Sequence, residues 1–382
     1  MLKLIFSIIK LKTKIEFKPP IQKDIILYDN ISTFLSAYLK KNTYSILYTR
    51  FERINLYIIF KSFFLFPKKN FFTKYVYTYI KFINPKVIIT FNHNQLLIYL
   101  IKNNFKNIKI ISIQNGLTSY SSSRSFSPNI RKNLNYLKKL NLRCDYFFVL
   151  NKRSKLMFSK FIKSKFIESG SFKSNMCLKN LTAASGNYIC FISQYSNSKK
   201  NFKMNFNKLE EIVINQLVNF CKKINIKCFI YLRWNSLEEI NYFKSIIKDK
   251  INFFEFKYIT KEHNKKKFEF FDKASLTVFI DSALGYEIIA RKKKVCIISA
   301  RDQFLKSSRG THYGNDEDIY DNEGIFWLNR FKNESEIFRK IESVYNLPLK
   351  KLINNYNANK DSLFYEDFAN SKFKKVLREI YP

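Results

Sequence analysis

Short apolar runs alternate with segments of helical periodicity along most of this chain, and that alternation restricts its fold more than any other feature. Residues 86–93, KVIITFNH, follow a proline and read as a buried strand. Residues 94–105, NQLLIYLIKNNF, have helical spacing, and 108–116, IKIISIQNG, read as a second strand ending at the first glycine of the chain. Strand, helix and strand in that order need a crossover connection, which predicts parallel βαβ units. Further strands are predicted at 144–151 and 165–171. After a polar stretch, 173–187, the pattern restarts with strands at 188–196, 226–235 and 251–256, then in LTVFIDS and KVCIIS. The economical architecture is α/β, with two Rossmann-like domains facing a central cleft and a helical C-terminal tail. The predicted boundaries are 1–175 for the first domain, 176–187 for a linker, 188–345 for the second domain, and 346–382 for helices packing back on the first.

Composition narrows the partners. The hydrophobic share of 46% supports proper cores, so disorder is not expected over most of the chain. The net charge of +38 comes with abundant Lys, Asn, Ile, Phe and Tyr together, as A/T-rich codons produce, so nucleic acid is not the expected partner. An anionic membrane surface is, because attraction to one is worth about 1 kcal/mol per nearby Lys or Arg. The segment 57–82 interleaves aromatics with lysines. It reads either as a surface lying in a membrane interface or as ordinary helices broken at Pro67. The six cysteines form no C-x-x-C pair and have no histidine at ligand spacing, which predicts reduced core residues of a cytosolic protein. The N-terminus, MLKLIFSIIKLKTKI, is broken by lysines and lacks the features of a signal peptide. No run approaches the roughly 20 apolar residues of a membrane span.

One stretch calls for a chemical explanation. In FIDSALGYEIIARKKKVCIIS, residues 279–299, a strand ends at Asp281, and a helix with a glycine in its first turn follows. Glycine there costs roughly 1 kcal/mol relative to alanine, so some group is expected to approach the backbone at Gly285. Asp281 or Ser282 can cap the helix, whose N-terminus then suits a diphosphate. Glu287, one turn in, suits a ribose diol; the alternative is an i, i+4 surface pair with Arg291.

The ordered set IDSALGYEIIARKKKVCIISARDQ, HYG and EGIFWLN resembles the C-terminal half of bacterial surface-carbohydrate biosynthesis proteins. These are capsule and lipopolysaccharide glycosyltransferase-like proteins of the GT-B type, with Kdo-type capsule transferases and teichoic-acid glycerophosphotransferases as broader relatives. SIQNG, ESGSFKSN and FISQYS resemble the same group in the same order, over roughly residues 85 to 330. The resemblance implies an acceptor-side first domain and a nucleotide-sugar site in the second. Ser193, Gln194, Arg233, Asp281, Ser282, Gly285, Glu287 and Arg301 would hold the donor, with no metal and no cofactor beyond that substrate. Helix dipole and cations would stabilise the leaving diphosphate.

There is one departure. Several relatives carry a histidine immediately before the glycine of the SIQNG-like motif, where this chain has Gln114-Asn115-Gly116. A neutral Asn115 cannot take a proton. His93, at the end of the preceding strand beside Asn92 and Asn94, is the leading substitute base, in a catalytic set with Gln114 and Asn115, unless it is a hydrogen-bonded structural residue. His312 and Asp145 stand behind it. The implied function is transfer of a sugar from a nucleotide-activated donor to a capsule or lipopolysaccharide glycan, free or lipid-linked. It would take place in the cytoplasm, peripherally at the inner face of the bacterial cytoplasmic membrane. The alternatives are a nucleotide-sugar epimerase or hydrolase on the same fold, and a non-catalytic glycan-assembly protein.

Overall fold

A computed structural model describes residues 13–50, 52–116, 130–178, 186–195, 201–260, 263–280, 282–304, 323–361 and 363–381. Two short strands, β1 (Lys14–Glu16) and β4 (Arg53–Asn55), pair with each other. The first sheet contains β2 (Ile25–Tyr28), β3 (Tyr44–Leu47), β5 (Val87–Thr90), β6 (Lys109–Ile113), β7 (Leu142–Val149) and β8 (Ile162–Glu168). Its order is β3-β2-β5-β6-β7-β8, parallel throughout. The second contains β9 (Tyr188–Ile192), β10 (Lys227–Tyr231), β11 (Phe254–Lys257), β12 (Leu276–Phe279), β13 (Val295–Ile298) and β14 (Trp327–Leu328). Its order is β11-β10-β9-β12-β13-β14, again parallel. The fold is the predicted α/β pair of Rossmann-like halves with a helical C-terminal end.

The central strands are unbroken apolar runs because helices cover both faces of each sheet. Every residue of β2, β5, β12 and β13 is buried. In each sheet the connections change direction once, between β2 and β5 in the first and between β9 and β12 in the second. Ligands bind at such switch points, beyond the carboxyl ends of the strands.

The chain passes between the halves twice. Helices Ser335–Asn346 and Leu349–Ala358 pack on the second core through Ile337, Ile341, Val344, Leu352 and Tyr356. The last helix, Ser371–Ile380, returns to the first, where Phe373, Val376 and Leu377 join Ile25, Leu27, Val87 and Phe148. The two passages touch at Gly170. Its φ is +72°, and the carbonyl oxygen of Tyr365 lies 1.6 Å from where a Cβ would stand. Only glycine fits there. Most of the predicted linker, 179–185, lies outside the described residues.

Residues 57–82 form two helices, Leu56–Phe64 and Phe71–Ile83, capped by Asn55 and Asn70. Among the described residues, no helix is long and apolar enough to cross a membrane. All six cysteines are free, and five are buried.

Candidate functional site

At the first switch point the chain leaves β2 through Asp29, which is fully buried with φ 72° and ψ 146°. A side chain rarely tolerates that backbone, so the surrounding hydrogen bonds must hold it. Its carboxylate accepts from Thr49 Oγ1 at 2.8 Å, Asn92 Nδ2 at 2.8 Å and Arg50 Nε at 3.2 Å. Asp29 thus ties the end of β2 to the loop after β5.

His93 follows in that loop, 1% exposed. Its Nδ1 accepts the Asn115 backbone N–H at 3.1 Å, and its ring packs edge-on against Phe158. Because Nδ1 accepts, the neutral ring carries its proton on Nε2. Burial pushes the imidazole down to about 3 from its ordinary 6.5. Such a ring binds protons poorly at neutral pH and is well placed to orient the Asn115 amide. Gln114 is buried beside it, with Oε1 accepting from Leu150 N and Nε2 donating to the Gly116 carbonyl. His93, Gln114 and Asn115 therefore come together as a positioned loop. Asp145 is drawn elsewhere, pairing with Lys102 at 2.9 Å.

At the second switch point two buried glutamates, Glu210 and Glu239, hold the loops. Glu239 Oε1 accepts from Ser193 Oγ at 2.6 Å and Arg233 N at 2.8 Å. Its Oε2 accepts from Trp234 N at 2.8 Å and Asn235 N at 3.1 Å. One carboxylate thus joins the loop after β9 to the loop after β10. Glu210, in the helix Asn201–Lys223, accepts from Gln194 N at 2.7 Å, and burial pushes its carboxyl up to about 8. Ser193, Gln194 and Arg233 are therefore neighbours, and Arg233 Nη1 lies 3.5 Å from the Gln194 carbonyl.

The helix Ala283–Ala290 begins at this switch point, capped by Ser282, which accepts from Leu284 N. A group does approach Gly285 as expected, and it is the chain's own Phe279. An added Cβ would lie 2.3 Å from the Phe279 ring, so the strand presses its own aromatic against the helix. Glu287 does not pair with Arg291. The Ser171 hydroxyl donates to Glu287 Oε1 at 2.5 Å, while Arg291, 2% exposed, forms a two-point ion pair with Asp272. Ser171 lies just beyond β8 and Glu287 one turn into the helix after β12, so this hydrogen bond joins the two halves on the carboxyl-end side of their sheets. Arg301 begins the short helix Arg301–Phe304 after β13. Asp281 and His312 lie outside the described residues.

The model of a family described as an O-antigen biosynthesis protein matches residues 111–381, well over half of the chain. The chain belongs to this O-antigen biosynthesis family. No curated protein sequence matches it. Among solved structures it is similar to S. aureus MnaA with UDP, at 12% identity and TM-score 0.53, over 97% of this chain and 96% of that one. It is also similar to the Methanocaldococcus jannaschii UDP-GlcNAc 2-epimerase in complex with UDP-GlcNAc and UDP, at 13% identity and TM-score 0.50, over 94% and 100%. At such identities the shared property is the fold, the twin Rossmann-like arrangement of the GT-B type.

Within the family match lie Gln114, Asn115 and every predicted donor residue, whereas Asp29 and His93 precede it. Sequence reading missed three acids at these edges. Asp29 ends an apolar run, DIILYDN, which was its available signal. Glu239 stands three residues after Ser236, as in a capping box, and the Ser236 hydroxyl does accept from Glu239 N at 3.2 Å. The carboxylate, however, reaches past the cap to the preceding loop. Glu210 had no signal in the sequence.

Proposed function

We propose that this family member is a metal-independent glycosyltransferase, moving a sugar from a nucleotide-activated donor onto a surface-polysaccharide acceptor of the capsule or lipopolysaccharide kind. It would act at the inner face of the cytoplasmic membrane, on a free or lipid-linked glycan. The observation that carries this reading is the contact between Ser171 beyond one sheet and Glu287 beyond the other, in a chain of the O-antigen family. The donor would lie on the second sheet, its diphosphate between the Ser282-capped helix and Arg233, and its ribose on Glu287. A helix N-terminus and a guanidinium both stabilise charge as the leaving group departs. The bond from the anomeric carbon to the phosphate oxygen breaks with its electron pair leaving on the nucleotide phosphate. A bond forms from the anomeric carbon to the acceptor hydroxyl oxygen, and the hydroxyl proton passes to the departing phosphate oxygen. In this reading His93 orients the Gln114–Gly116 loop toward the acceptor and does not itself take the proton.

A panel of nucleotide sugars in a thermal-shift assay tests the reading, followed by product analysis with and without a glycan acceptor and with a chelator. Donor-dependent stabilisation and acceptor-dependent, chelator-resistant release of the nucleotide support it. Conversion of the donor sugar without an acceptor would point to an epimerase, and silence across the panel to a non-catalytic assembly protein.

A further inference from the structure

The helix Leu56–Phe64 is apolar on two faces. Its inner face buries Ile58 and Ser62, with Tyr57 and Ile59 packed on the core of the first sheet. Its outer face presents Leu56, Phe60, Phe63 and Phe64, spaced i, i+4, i+7 and i+8, with exposures of 38, 59, 57 and 70%. The rings of Phe60 and Phe64 meet edge-on at 5.3 Å, and Phe63 lies 6.3 Å from Phe71 across the turn. A helix with a covered apolar face and a second apolar face in water has a missing neighbour.

The charge around the patch identifies that neighbour. Lys68 and Lys69 are exposed on the turn between the two helices, with Lys61 and Lys74 on the helices themselves. No acidic residue occurs anywhere between Glu52 and Asp145. A second copy of a chain with net charge +38 would bring like charge to like. Aromatics rimmed by lysines match the boundary between acyl chains and anionic headgroups.

We propose that this hairpin is a membrane-docking surface, in which Phe60, Phe63 and Phe64 insert into an anionic phospholipid bilayer while the lysines contact lipid phosphates. It deepens the membrane-side placement proposed above and rests on it. Its test uses no donor, acceptor or turnover, so failed docking and failed catalysis are separately visible. Charge alone would release the protein at high salt; insertion leaves a salt-resistant fraction.

The test is sedimentation with vesicles of phosphatidylglycerol and phosphatidylcholine, or phosphatidylcholine alone, at about 0.1 and 1 M salt, where the Debye length falls from about 10 to 3 Å. The intact protein is expected to bind the anionic vesicles and keep part of that binding at high salt. Phe60→Ser with Phe64→Ser should reduce the salt-resistant binding at least about tenfold at unchanged melting temperature, the scale expected when buried apolar area supplies the anchoring. Lys68→Glu with Lys69→Glu should reduce low-salt binding, and Leu156→Ser, at an exposed apolar residue elsewhere, should change neither. The indole introduced by Phe64→Trp should be quenched by brominated lipid. Undiminished binding of the phenylalanine variant, or no quenching, would overturn insertion. A dimer abolished by the same variant, without vesicle binding, would reassign the patch to self-association.

Discussion

The Ser171 hydroxyl donates to Glu287 Oε1 at 2.5 Å, joining residues 116 apart in sequence and belonging to opposite sheet edges. The carboxylate is thereby held at the contact between the two halves. Charge-assisted hydrogen bonds contribute about 1.5–3 kcal/mol, so Glu287→Gln should weaken donor binding roughly 10- to 150-fold while the fold persists. Ser171→Ala should weaken it less, by freeing the carboxylate to rotate. Calorimetric titration with the donor found in the thermal-shift panel measures both. Normal affinity in both variants would remove Glu287 from the site.

Arg291 ties Asp272 to the carbonyls of Ser174 and Cys177, where the chain leaves the first half. Removing one member of a buried ion pair leaves an uncompensated charge and costs about 3–5 kcal/mol. Arg291→Ala should destabilise by that order in urea unfolding, whereas Arg291→Met with Asp272→Leu should recover most of it.

Gly285→Ala should destabilise the protein by about 1–3 kcal/mol, the usual cost of overpacking, because the new methyl meets the Phe279 ring. Adding Phe279→Leu should restore part of the loss. An increase in melting temperature with Gly285→Ala alone would show that the ring moves aside freely.

His93 and Glu210 give opposite pH slopes. His93 has a folded value near 3 against an ordinary 6.5, so the stability tied to its neutral form is complete above 6.5 and is lost as pH falls toward 3. Glu210 has a folded value near 8 against 4.5, so its contribution is complete below 4.5 and is lost as pH rises to 8. Unfolding free energy measured from pH 4 to 9 should therefore fall less on the acid side in His93→Gln. It should fall less on the alkaline side in Glu210→Gln, by more than about 1 kcal/mol given the size of the shift. Parallel curves for wild type and variants would contradict these environments.

Glu239→Gln tests the splint between the loops after β9 and β10. An amide can accept through one oxygen only, so two of the four donors to Glu239 lose their partner. Donor affinity should fall about tenfold or more, because either the Ser193 and Arg233 pair or the Trp234 and Asn235 pair loses its acceptor and the loop after β10 is no longer fully held.

The second half of the fold was legible because its strands are apolar runs separated by long helical patterns; the predicted 188–196 and 226–235 contain β9 and β10, and 251–256 overlaps β11. The strands β2 and β3 were not legible. Four residues in a lysine- and aromatic-rich context complete too few periods to stand out. In the first half, polar residues at strand ends, Gln114 among them, marked the loops, whereas Ser193 and Gln194 were implied only by the resemblance to surface-carbohydrate glycosyltransferases. Glu210 and Glu239 had no such mark, because their role lies in backbone amides brought from distant segments. The alternative for Glu287, an ion pair with Arg291, does not form for the same reason. Helical spacing shows which side chains are within reach of each other, but Ser171 and Asp272 come from outside the helix.

The return of the final helix has a consequence for how this protein is made. Phe373 meets Phe148, Phe172 and Tyr38 edge-on inside the first core. A nascent chain emerges from the ribosome amino end first, and domains generally fold in that order. Here the first half keeps an open aromatic slot until residues 371–380 have been made and have left the exit tunnel. The second half can close its own core sooner, so the first half waits for residues made after those of its neighbour.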